Sequence, residues 1–162
     1  MKTGKERINY LKMIGLSEPI IQMAQGEILH PFFESAYEEP NYIYDIKNIP
    51  DNITPLWELE SFQTVVLEEN NHIFFVQFNL DDLEATFKII GSTEQAALAR
   101  LFLDNIEVSN LENDELIKQV TEASKCTGFK YSEEFINLLK LYDSDGEEYF
   151  ERFHIFQEKV DW

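Results

Sequence analysis

Two runs of β-branched and aromatic residues, Phe62-Gln-Thr-Val-Val-Leu-Glu68 and His72-Ile-Phe-Phe-Val-Gln-Phe78, are separated only by the turn-forming Glu69-Asn70-Asn71. Residues of this kind favour a pleated, half-buried surface, and so short a connection leaves no room for a crossover helix. Both runs must therefore be strands and must pair antiparallel. A second turn at Asn79-Leu-Asp-Asp82 leads into Glu84-Ala-Thr-Phe-Lys-Ile-Ile90, a third strand, while Leu56-Trp57-Glu58-Leu59 leads into the first. The expectation is a curled three-stranded antiparallel meander over residues 55–90.

On either side of the meander the apolar period changes from two to 3.6 residues. Residues 3–14 read as a short amphipathic helix through Ile8 and Leu11, with Gly15 as its stop. Ser17 stands as an N-cap and Pro19 fits the first turn of a second helix that ends near Gln25. Between Glu27 and Pro55 lie four of the five prolines. That stretch reads as loop with extended pieces, notably Tyr42-Ile-Tyr-Asp45, whose aromatics require it to pack down. After Gly91, Ser92 is placed to cap a helix to about Glu107, with Gln95 at the capping-box position. Asn110 or Asn113 caps the next, about 112–125, with Leu116, Ile117 and Val120 inward. Ser132 to Tyr142 forms another, and 147–159 the last, with Tyr149, Phe150, Phe153 and Phe156 on one face. Helices, then strands, then helices define an α+β class and exclude an alternating parallel-sheet architecture. The first unit would be an α+β core over 1–107, with 108–162 a helical extension packed on it in a single domain.

Composition supports a real core. The chain has 162 residues, 44% of them hydrophobic and 14% aromatic, and disordered chains lack such residues. The single Cys126 excludes an intramolecular disulfide and a cysteine-based zinc site; it is either a thiol activated near Lys125 or a small semi-buried residue. No leader-like apolar segment follows Met1–Tyr10, and Ile73–Val76 is far too short to span a bilayer. A cytoplasmic location is expected by elimination.

Charge constrains function most. With 31 acidic and 13 basic residues the formal net charge is −18; the first twelve residues carry +3 and the rest −21. Such a surface repels nucleic acid and anionic lipid and attracts a basic protein, or it serves solubility alone. The six glycines never fall in a nucleotide-binding spacing, and His30, His72 and His154 lack the paired spacing of a zinc helix. Asp143-Ser-Asp-Gly146 fails the calcium-loop register, since Leu141 and Arg152 would occupy positions that need carboxylates. Glu147 and Glu148 suit the positive end of a helix instead. The adjacent pairs Glu38-Glu39, Glu68-Glu69 and Asp81-Asp82 point to opposite sides of a strand and make no acid–base pair. No catalytic residue, cofactor or metal is expected.

Asn48-Ile-Pro50, Thr54-Pro-Leu-Trp57, the strands, and Ile90-Gly-Ser-Thr-Glu94 opening a helix together resemble the SUKH superfamily over about residues 10–107. Gly15-Leu16-Ser17 stands where that family has a Gly-Leu-Pro turn, with Pro19 two residues late. The resemblance implies an immunity protein of bacterial toxin systems, which protects its cell by capping a toxin domain, often a basic nuclease. The expected contacts are Tyr42, Tyr44, Asp45, Trp57, Glu58, Glu68, Glu69, Asp81 and Asp82; the alternative is that Trp57 and the tyrosines are core residues, which for Trp57 is the favoured reading. A regulatory or scaffold module of the same fold, or a small hydrolase using His72 and dispersed carboxylates, remain the alternatives.

Overall fold

A computed structural model describes residues 1–34, 39–46, 49–81, 87–142 and 146–162, the side chains of 142, 146 and 147 excepted. Two helices, α1 (Gly4–Met13) and α2 (Glu18–Ala24), precede strands β1 (Ile53–Leu59), β2 (Phe62–Glu69), β3 (His72–Asn79) and β4 (Lys88–Gly91). Helices α3 (Glu94–Val108), α4 (Asn113–Thr127), α5 (Ser132–Tyr142) and α6 (Gly146–Val160) follow. The class is α+β. The sheet is antiparallel throughout, in chain order β1-β2-β3-β4.

The meander has one strand more than the sequence pattern suggests. β1 carries Pro55, a residue that cannot donate to a ladder and is confined to edges and bulges. Here it occupies both: β1 is an edge strand, and its register shifts between Pro55 and Trp57. Of the expected third strand, Glu84–Ile90, residues 84–86 lie outside the described residues, and the strand described is Lys88–Gly91. Tyr42–Asp45 is a turn of 3-10 helix, not an extended piece.

The sheet separates two apolar clusters. On one face Trp57, Leu59, Val66, Phe75 and Ile90 meet the helices. There Phe102 of α3 lies within 6.0 Å of the rings of Phe32, Phe33, Phe129 and Phe135, and Phe135 reaches Phe156 of α6 at 5.7 Å. Five segments thus share one aromatic seam, where each ring pair adds to its area burial. On the other face Ile53, Val65, Val76 and Phe78 are covered by Ile43 and Tyr44 of the 3-10 turn. Face assignment follows strand alternation, and the bulge in β1 resets it.

Helix ends show where side chains compete for backbone groups. Thr93, not Ser92, caps α3: its hydroxyl oxygen accepts the Ala96 N–H at 3.1 Å and its O–H donates to the Val160 carbonyl at 2.7 Å. Ser92 bonds Asp161 instead. Gln95 makes no capping box; its amide joins Gly128 and Lys130, beyond α4. Glu112 occupies the N-cap position of α4, with no side-chain cap bond, and Gly128 ends the helix at φ 74°, the left-handed conformation glycine adopts without cost. Phe150, expected on the inner face of α6 with Tyr149, Phe153 and Phe156, is 71% exposed. No helix among the described residues is long and apolar enough to cross a membrane.

Candidate functional site

The nine expected contact residues do not form one patch. Trp57 and Glu58 are each only 1% exposed. The bulge after Pro55 explains both. It turns Trp57 toward the helices opposite Thr64, and Glu58 toward the second face opposite Gln63. There the Glu58 carboxylate accepts the N–H groups of Asn41 at 2.9 Å, Tyr42 at 3.4 Å and Ile43 at 3.2 Å. A buried carboxylate requires such donors, so Glu58 holds the 3-10 turn against β1. Neither residue contributes surface to a partner.

Glu58 thereby positions Tyr42, Tyr44 and Asp45. Tyr42 and Asp45 project outward while Tyr44 is half-buried. Burial pushes the Tyr44 phenol upward, with Arg7 opposing and Glu39 and Glu58 reinforcing the shift.

Glu68 and Glu69 are exposed where β2 ends. Glu68 accepts the Tyr10 O–H of α1 at 2.6 Å, and the Lys2 ammonium lies 3.8 Å from the Tyr10 ring centre. The Glu68 carbonyl accepts from the Asn52 side chain, which brings Asp51 to the same end of the sheet, 3.0 Å from the Met1 ammonium. Asp51 was not among the expected residues; its only signal is its place just before the strand that pairs with β2. His72 faces Glu69 across the turn and is exposed. Asp81 lies beyond the far end of β3, its N–H bonded to Asn79 at 2.8 Å. Seven residue steps of strand put roughly 23 Å between the two ends. Asp82 lies outside the described residues. Glu68 and Glu69 therefore stand at one end of the sheet and Asp81 at the other.

Charge is more concentrated than the total implies. Residues 13–106 hold 16 acidic and three basic residues. Among the described acids of that stretch, only Glu58 and Asp104 are buried and Glu94 is half-buried; the other ten are exposed. Of the bases, Arg100 is spent internally on Asp104. Burial raises the Asp104 carboxyl above its ordinary value, opposed by Arg100 and by the Gln77 amide, which donates at 2.7 Å. Beside the acidic rim, Phe87 and Ile89 are exposed on and next to edge strand β4.

Ser17 donates both its N–H and its hydroxyl to Glu94, joining Gly15-Leu16-Ser17 to the step into α3. The residue expected as a plain N-cap thus makes no cap bond of its own. Cys126, a candidate for semi-burial, is exposed. Asp143 to Asp145 lie outside the described residues, and no three metal-ligating side chains converge among those described. Compared with protein-family models, curated proteins and solved structures, the chain matched none.

Proposed function

We propose that this chain is an immunity-type protein that binds a basic toxin domain and neutralises it by occluding the toxin's active site. The observation that carries the reading is the charge distribution: a sheet rimmed at both ends by exposed carboxylates, in a stretch with 16 acids and three bases. Such a surface speeds encounter with a basic cleft and excludes acidic competitors. Tyr42, exposed and held from behind by Glu58, supplies an aromatic anchor of the type that dominates binding energy. The SUKH resemblance supplies the toxin-neutralising role.

The test is affinity capture from the source organism at low and high salt, followed by expression of the captured protein alone. The reading expects a basic protein whose capture weakens with salt, whose expression arrests growth, and whose arrest is relieved by this chain. A captured partner that is harmless when expressed would favour the regulatory-module reading, which uses the same surface. The hydrolase reading asks for His72 and two acids converging in a pocket, whereas His72 is exposed at the start of β3.

A further inference from the structure

The two faces of the sheet are covered unequally. All six helices contribute to the cluster on the face of Trp57, Val66 and Phe75. The opposite face, carrying Val65, Val76 and Phe78, is covered by Ile43 and Tyr44, with Met1 and Ile49 beside them. That cover stops short of β4. Ile89 stands opposite Val76 in the β3–β4 pairing and so shares this face, yet it is 59% exposed. Phe87, whose ring meets Phe78 edge-on at 5.0 Å between centres, is 44% exposed. β4 is an edge strand, so no further strand among the described residues lies beyond this apolar pair.

The same face carries charge of one sign. Glu69 follows Val65 and Leu67 at two-residue steps, so its exposed carboxylate stands over this face, opposite His72. Asp45 is exposed on the 3-10 turn that covers the face, and Asp51 is exposed beside Met1, which packs against the same cluster. The cations nearby are turned away or already matched. Lys88 stands opposite Gln77, whose amide reaches Asp104 on the helical face. Lys2 lies over the Tyr10 ring of α1. Behind Tyr44, Arg7 is buried and paired with Glu39, and the Met1 ammonium is bound to Asp51. Among the described strand residues on this face there is no lysine or arginine.

An apolar centre with acids around it selects its occupant. A second copy of this chain, itself at −18, is repelled. A strand added to the edge meets Lys88, the kind of residue that blunts edge pairing. A basic partner gains at both the centre and the rim. We propose that the β3–β4 half of this face is where the basic partner docks, seating an apolar side chain against Phe87 and Ile89 while its flanking lysines or arginines meet Glu69 and Asp45. The partner's basic character rests on the toxin-capping reading; the face does not. His72, paired with Glu69, lies four residues from Val76, about 13 Å along β3. Centre and rim therefore fit within the roughly 800 Å² that a stable interface buries on each partner. Exposed apolar patches rimmed by polar residues mark such interfaces.

The probe is a short end-blocked peptide of alternating lysine and leucine, titrated at low salt into the whole isotope-labelled chain. Two reference peptides carry glutamate for each lysine, or serine for each leucine. The expected result is one saturable site with amide shifts concentrated at residues 72–78 and 87–91, and both reference peptides at least tenfold weaker. Ile89→Asp and Phe87→Ser, checked for folding by circular dichroism, should each weaken the probe at least tenfold, and Glu69→Lys at least threefold. Phe150→Ser, at a 71% exposed apolar position on α6, should leave it unchanged. Shifts centred on the helices, equal binding of the serine peptide, no saturable site, or unchanged affinity in the folded Ile89 and Phe87 variants would each overturn the proposal. A captured basic toxin that binds Ile89→Asp as tightly as the parent would remove this face and leave toxin capping standing. Probe binding on the face, with only a harmless partner captured, would support the face and remove the toxin.

Discussion

The backbone carbonyl oxygen of Asp161 lies 1.9 Å from where a side chain at Gly91 would place its first carbon. The chain's end therefore packs directly on the step from β4 into α3, beside the Thr93–Val160 bond. Gly91→Ala cannot be accommodated without moving one backbone off another. We expect a loss of about 3 kcal/mol or more, at the upper end of overpacking effects, measured by urea unfolding. Deleting residues 161–162 in the same background should restore part of it.

Glu58→Gln keeps the shape of the side chain but removes the charge from a carboxylate serving three buried or part-buried amides. Hydrogen bonds to charged acceptors contribute about 1.5–3 kcal/mol each. A net loss of about 2–3 kcal/mol is expected, together with faster amide hydrogen exchange at residues 41–43. Unchanged exchange there would show that Glu58 does not hold the turn.

Tyr10 donates to Glu68 from a buried position, and burial, that hydrogen bond and the nearby negative charge all push its phenol well above the ordinary value of 10.0. Above pH 10 the unfolded chain releases this proton while the folded one retains it. Stability must therefore fall as pH rises through that window. Tyr10→Phe should cost about 1 kcal/mol at neutral pH and flatten the alkaline decline. A decline as steep as in the parent would place its origin elsewhere.

Asp104 follows the same sign at the acid end. Its carboxyl is raised above the ordinary 3.8 by burial, so the folded state holds a proton that the unfolded state has released, and stability decreases with rising pH across that interval. Asp104→Asn should remove this component from the pH dependence of unfolding. An identical profile in the variant would refute the assignment.

Trp57 and Tyr42 separate core from surface. Trp57→Ala should cost about 3–5 kcal/mol, whereas Tyr42→Ala, at a 64% exposed position, should stay within about 0.5 kcal/mol. If the toxin reading holds, Tyr42→Ala loses affinity at unchanged thermal stability. Loss of both together would make Tyr42 a structural residue.

The strands β2 and β3 were legible because their apolar residues alternate between two buried faces and their turn is too short for anything but a hairpin. β1 was obscured by Pro55, whose edge-and-bulge position only the pairing reveals. The same bulge decided the fates of Trp57 and Glu58: without its register shift, no sequence rule says which of two adjacent residues faces inward. Tyr42–Asp45 looked extended because aromatic and β-branched residues favour strands, yet a carboxylate 13 residues beyond Asp45 gathers its amides into a 3-10 turn. Acidity was readable as a total, but its separation into two sheet ends depends on strand length and pairing.

Chain order and sheet order coincide, so each strand of the meander meets its predecessor across a short connection. Pairings of that kind form early and quickly. The Gly91–Asp161 contact instead closes a span of 70 residues, whose entropic cost comes due before any reward. It should be the last contact made and the first surrendered, so that the lifetime of the native state, and its resistance to proteases, is governed from the far end of α6.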